Sequence, residues 1–155
     1  MRRVLAPLTG ATALLLAACG APAGTGPPPE LDDAAAELCR DVVDAVPDTL
    51  YGEDRVPTEP ESDFTTAWGD PPITLRCGVD RPDAYAPDSE LQVVNDVAWL
   101  PEPEGSAEPH LFTALGHEVY VELAIPAVYG VPAQGLVAVS DVIGEIVPER
   151  TDGDL

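Results

Sequence analysis

Few residues in this chain have the types and spacing to do chemistry. Three are cysteines and two are histidines. The first cysteine closes the run Leu16-Ala17-Ala18-Cys19. Ahead of it stand Arg2 and Arg3, then an apolar stretch from Val4 to Leu15 broken only by Pro7 and small residues. That order, basic then apolar then small, is the layout of an export signal, and a cysteine after the small residues makes it a lipobox. The chemistry is acylation of the Cys19 thiol followed by cleavage before it. The apolar run is too short to act as a stop-transfer helix. An ordinary secretory signal with an incidental cysteine is the competing reading, and Pro22 disfavours cleavage a few residues further on.

With Cys19 lipidated, Cys39 and Cys77 remain, an even pair in an oxidising compartment, where a disulfide is the default. Neither lies in a C-x-x-C redox motif. His110 and His117 would need acidic partners to hold a metal, and Glu108, Glu118 and Glu122 are near in sequence, but a hairpin places the two imidazoles at opposite ends. No metal site and no cofactor are expected. The serines after the signal, Ser62, Ser89, Ser106 and Ser140, show no strand–turn–helix elbow, so a nucleophile beside a histidine is not apparent. Carboxylate pairs for glycoside cleavage are too abundant to single one out. The expectation is a protein that is not an enzyme, with no catalytic residues.

Acid dominates the composition: 28 Asp and Glu against 7 bases, all arginine, give a net charge of −21. Loss of the signal removes Arg2 and Arg3 and no acid, so the mature chain is more negative still. Such a surface repels phosphate backbones and anionic headgroups, which argues against nucleic-acid binding. A cationic partner, bound divalent cations and adaptation to salt are the functional alternatives. A solubility surface written by a GC-rich genome accounts for the bias more simply.

The elements that would position these residues follow from periodicity. Residues 1–18 read as the signal, and 19–29 as the lipidated cysteine with a Pro/Gly-rich tether of about 30 Å at polyproline rise. Residues 30–149 read as one α+β domain and 150–155 as an acidic tail. A helix is expected from Glu30 to Pro47, with Leu31, Ala35, Leu38, Val42 and Val46 on its apolar face and Cys39 on the border. Asp48 to Pro72 reads as an irregular wrapping loop. Ile73, Leu75, Cys77 and Val79 alternate on one face of a strand, so Cys77 can meet Cys39 across a helix–sheet contact. A strand at 91–100 and a hairpin at 110–125, turning at Gly116-His117, complete an antiparallel four-stranded sheet. Leu136, Val139, Ile143 and Ile146 mark a final helix, and both helices are expected on one sheet face.

The assembled pattern resembles an actinobacterial family of small exported proteins known only as a domain of unknown function, number thirty-five fifteen. The resemblance rests on Cys39, Val46-Pro47-Asp48-Thr49-Leu50, the run Ala67-Trp68-Gly69-Asp70-Pro71-Pro72 to Arg76-Cys77-Gly78-Val79, Trp99-Leu100, the hairpin 112–126 and the last helix. It covers nearly all of the mature domain. It implies a lipoprotein or secreted single domain with an envelope role, since members are often encoded near cell-wall precursor genes, and it brings no catalytic residues. His117 stands where arginine is common in that family.

Two places then remain for function. Trp68-Gly69-Asp70-Pro71 is either an exposed aromatic platform or a structural motif in which Trp68 plugs the sheet edge. The structural version is favoured, because buried tryptophans are commoner. The wet sheet face around Arg76, Tyr120 and Glu122 is the candidate interaction surface, against the plainer reading of a cross-strand pair. The overall expectation is a lipid-anchored binding or interaction module on the extracytoplasmic side of the cell membrane. Its partners would be the membrane through the lipid on Cys19 and an envelope protein or cell-wall component. A carrier of a small apolar ligand or lipid is the alternative, and a cell-envelope enzyme the third.

Overall fold

The computed structural model describes residues 21–108 and 110–151. Cys19 and the signal lie outside them. The first helix, α1, spans Asp33–Ala45, later than the acidic run suggests, because Asp32 is the N-cap and its carboxylate accepts the Ala35 amide at 2.9 Å. Its buried stripe is Ala36, Cys39, Val42 and Val43, so Cys39 sits at the centre of the face and not on its border. Pro47 ends it.

The sheet corrects the expectation of four strands. Eight strands form one antiparallel sheet, and a two-stranded parallel sheet stands beside it. In chain order the strands are β1 (Ala23–Gly24), β2 (Thr49–Leu50), β3 (Glu53–Val56), β4 (Thr58–Glu59), β5 (Thr65–Trp68), β6 (Ile73–Val79), β7 (Gln92–Val94), β8 (Val97–Glu102), β9 (Leu111–Leu115) and β10 (Tyr120–Ala124). The large sheet runs β2-β3-β5-β6-β10-β9-β8-β7, and β1 pairs with β4.

Two causes account for the difference. The wrapping loop at 48–72 is instead β2 to β5, strands of two to four residues with acids and prolines at their margins. Strands that short carry no readable alternation, and their pairing depends on neighbours distant in sequence. The single strand at 91–100 is a hairpin, because Asn95 and Asp96 adopt φ of 48° and 66° and turn the chain. Positive φ at both central residues is the type I′ requirement, which asparagine and aspartate tolerate.

The hairpin register also moves. Val121 pairs with Ala114 and Leu123 with Phe112, two residues from the tight turn expected at Gly116-His117. An even shift keeps each side chain on its face. The widened turn instead receives the C-terminal segment: Glu118 N–H donates to Pro148 O, and Arg150 N–H to Gly116 O.

One sheet face carries Trp68, Ile73, Leu75, Cys77, Val121, Phe112, Ala114 and Trp99, all fully buried. Against it pack α1 and the second helix, α2 (Ala133–Ile146). The Cys39–Cys77 disulfide is present, with α-carbons 5.3 Å apart, and bolts α1 to β6. At the other helix, Trp99 Nε1 donates to Ser140 Oγ at 2.9 Å, which satisfies both groups in the core. The end of α1 is held from β3 and β5: Arg55 donates to the carbonyls of Val43 and Val46, and Trp68 Nε1 to Pro47 O at 2.9 Å. Those carbonyls have no partner inside the helix, so a cation there satisfies them and suits the dipole.

Candidate interaction groove

The second sheet face is less wet than its alternation suggests. Leu100, Thr113 and Leu115 on it are at most 1% exposed. What stays open is a strip over β6 and β10, where Arg76 pairs with Glu122 across the strands. Arg76 Nη1 lies 3.2 Å from Glu122 Oε1, and both side chains are about three-quarters buried. Arg76 Nη2 donates to Pro27 O at 3.1 Å, drawing the N-terminal segment across the face. Its Nε is buried with no hydrogen-bond partner among the described residues.

Pro27 to Glu30 on one side, and Arg76, Asp80 and Glu122 on the other, wall an open groove of about 680 Å³. Tyr120 sits further along the same face, with the Arg150 guanidinium 5.6 Å from its ring and Arg150 Nη1 donating to its hydroxyl at 3.2 Å. The three residues named from sequence therefore share a face, but Arg76 and Glu122 form one pair and Tyr120 another with a residue the sequence did not single out. Glu102 stands close by, and its carboxyl is raised above the ordinary range by desolvation and then by the Glu122 charge.

A bulge shapes the end of this groove. Tyr120 pairs with Val79 and Val121 with Cys77, leaving Gly78 unpaired at φ +80°. Leu31 fills the space in which a Gly78 Cβ would stand, 2.5 Å from the ideal position. Only glycine permits both the backbone turn and this contact.

The remaining candidates separate. Trp68 is fully buried, so Trp68-Gly69-Asp70-Pro71 is no aromatic platform. Gly69, at φ +71°, lets Tyr129 and Glu53 close over the turn, and Asp70 is exposed. Tyr129 donates to Pro71 O at 2.8 Å, and its phenol is raised by desolvation and by the carboxylates of Glu53 and Asp70. His117 is buried at the widened turn, with Nδ1 3.0 Å from Leu115 O, whereas His110 lies at the opposite end of β9. No group of three or more His, Cys, Asp or Glu among the described residues could hold a metal ion. Ser140 is committed to Trp99, and Cys39 to Cys77. No described helix is long and apolar enough to cross a membrane.

No curated protein and no solved structure matches this chain. Residues 4–151 match the family described as "Protein of unknown function (DUF3515)", a span that takes in the whole folded domain. The bulged Arg-Cys-Gly-Val strand, its disulfide and the buried tryptophan turn are thus features of a member of that family, and the chain belongs to it.

Proposed function

We propose that this protein is an envelope lipoprotein, held by lipid on Cys19 at the outer face of the cytoplasmic membrane, whose domain is a non-enzymatic interaction module. The lipobox Leu16-Ala17-Ala18-Cys19 supports the anchor. The groove along Arg76 and Glu122 supports the module. There an arginine–carboxylate pair on the sheet faces the exposed Pro27–Pro28 stretch, a setting that suits polar recognition. Its acidic surroundings, Glu30, Asp80 and Glu122, suit a partner with positive charge. The partner class is an envelope protein or a cell-wall component, and no nucleic acid.

Packing favours this over the carrier. A carrier of an apolar ligand needs an enclosed apolar cavity. Beneath the groove the core is filled by Trp68, Trp99, Phe112, Leu75 and Leu123. The test is a photo-crosslinking amino acid placed at Asp80, beside the groove, or at Glu145 on α2, in the protein in its own membranes. A discrete adduct from position 80 and none from 145 is the expected result. Adducts from 145 alone would move the interaction surface to the helix layer.

A further inference from the structure

The N-terminal segment does not leave the domain where the domain's helix begins. It runs back over the sheet as a strap. Ala23 N–H donates to Pro57 O at 2.8 Å and Thr25 N–H to Glu59 O at 3.1 Å, making β1 a parallel partner of β4. Ala23 is 3% exposed and Thr25 is 5% exposed, as buried as the core. Pro27 is held by Arg76, and Leu31 is seated on Gly78. The stretch from Ala23 to Leu31 is thus part of the fold, and Ala21 and Pro22 are the exposed residues before it.

We propose that the strap presses the domain against the lipid surface in one orientation, with the Pro57–Thr58 edge toward the bilayer. The inference rests on the lipid-anchor reading of Cys19. From Cys19 to Ala23 are four peptide units, which span at most about 14 Å fully extended. The Pro57 carbonyl, 2.8 Å from the Ala23 amide nitrogen, is thereby held within roughly 17 Å of the acylated residue. An unstructured tether running to Pro29 would allow more than twice the reach. Proximity here comes from the strap and not from attraction: Glu53, Asp54, Glu59, Glu61 and Asp63 on this edge are exposed and disfavour an anionic leaflet. The opposite edge, β7, lies six strand intervals away, up to about 29 Å, and faces the periplasmic or wall side.

The experiment uses the full acylated protein in vesicles of phosphatidylethanolamine and phosphatidylglycerol carrying an acceptor-labelled lipid. A donor dye is placed on Pro57→Cys or on Val93→Cys, the latter at an exposed position of β7. Energy transfer from position 57 should exceed that from 93 by roughly twofold or more, because the labels are separated by up to about 29 Å across the sheet. Ala23→Pro/Thr25→Pro removes both strap donors and should bring the two signals together. A second variant leaves the strap intact and inserts about twelve Gly/Ser residues after Gly20, adding roughly 20 Å of reach. It should lower transfer from position 57. Equal transfer from 57 and 93 in the acylated parent overturns the orientation while leaving the anchor standing. Transfer unchanged by the insertion overturns the role of tether length. A chain without acyl mass on Cys19 that stays in the aqueous phase overturns the anchor reading and this inference with it.

Discussion

Replacing Cys39 and Cys77 by alanine gives the most quantitative test of how this fold is held. The bond closes a loop of 38 residues. In the chain-entropy model that loop removes about 13 cal/mol/K from the denatured ensemble, or about 4 kcal/mol at 25 °C. Against a domain stability of about 5–15 kcal/mol, the staple is a large fraction. With an unfolding entropy of roughly 2.1 cal/mol/K per residue over the folded domain, the midpoint should fall by about 15 °C. Alanine is the appropriate replacement, since serine would bury two unpaired hydroxyls at fully buried positions and add a separate cost. The closed loop contains β2, β3 and β5, three of the eight strands of the large sheet, together with β4 of the small one, and these strands are short. Hydrogen exchange in the variant should therefore accelerate first at Thr49–Trp68, with β8 to β10 protected longest. Chemical denaturation of parent and variant supplies the free-energy difference. A loss below about 1 kcal/mol would refute the loop-entropy argument for this protein, and uniform exchange would refute the placement of the weak segment.

Three further outcomes follow from individual residues. Ser140→Ala removes the acceptor for the buried Trp99 indole and should cost about 1–3 kcal/mol by denaturant titration; a change within error would mean that another acceptor replaces it. The folded-state pKa of Glu102 is raised, so the folded state binds its proton more tightly than the unfolded chain and stability is lost as pH rises through that window. Glu102→Gln should accordingly match or exceed the parent's melting temperature at neutral pH and lose that advantage below the ordinary carboxylate range; a variant less stable at neutral pH would contradict the sign. Cys19→Ala should move the protein from membrane to soluble fractions, because a bare acidic domain has no affinity for an anionic surface; retention of a variant with its signal cleaved would show the lipobox reading to be wrong.

The structure extends the sequence reading unevenly. The second helix and the paired cysteines were legible because each is encoded by a long repeat of period or by simple counting. The interaction strip was half legible. Alternation places Arg76 and Glu122 on one face, but it does not show that Leu100, Thr113 and Leu115 on that face are buried. Arg150 beside Tyr120, and Arg55 at the end of α1, had no sequence signal, since each meets its partner through tertiary folding alone. Asn95-Asp96 did carry one. Two turn-forming residues inside an apparent strand are a hairpin signature, obscured here by the valines and tryptophan around them.

What the sequence determines by itself is local or additive. Charge, the candidate anchor, the pairing of the last two cysteines, and the helices whose apolar spacing persists over several turns all belong to that class. Family membership belongs there too, since it rests on the run of residues. Only the tertiary structure decided that the sheet has eight strands, that the tether is partly a strap, and that Trp68 is core and not surface. A strand of two or three residues has no free energy of its own, and it exists because a distant neighbour offers hydrogen bonds and a surface to pack on. For the same reason Ala23 and Thr25, unremarkable in a Gly/Pro-rich run, become buried once β4 is present to receive them.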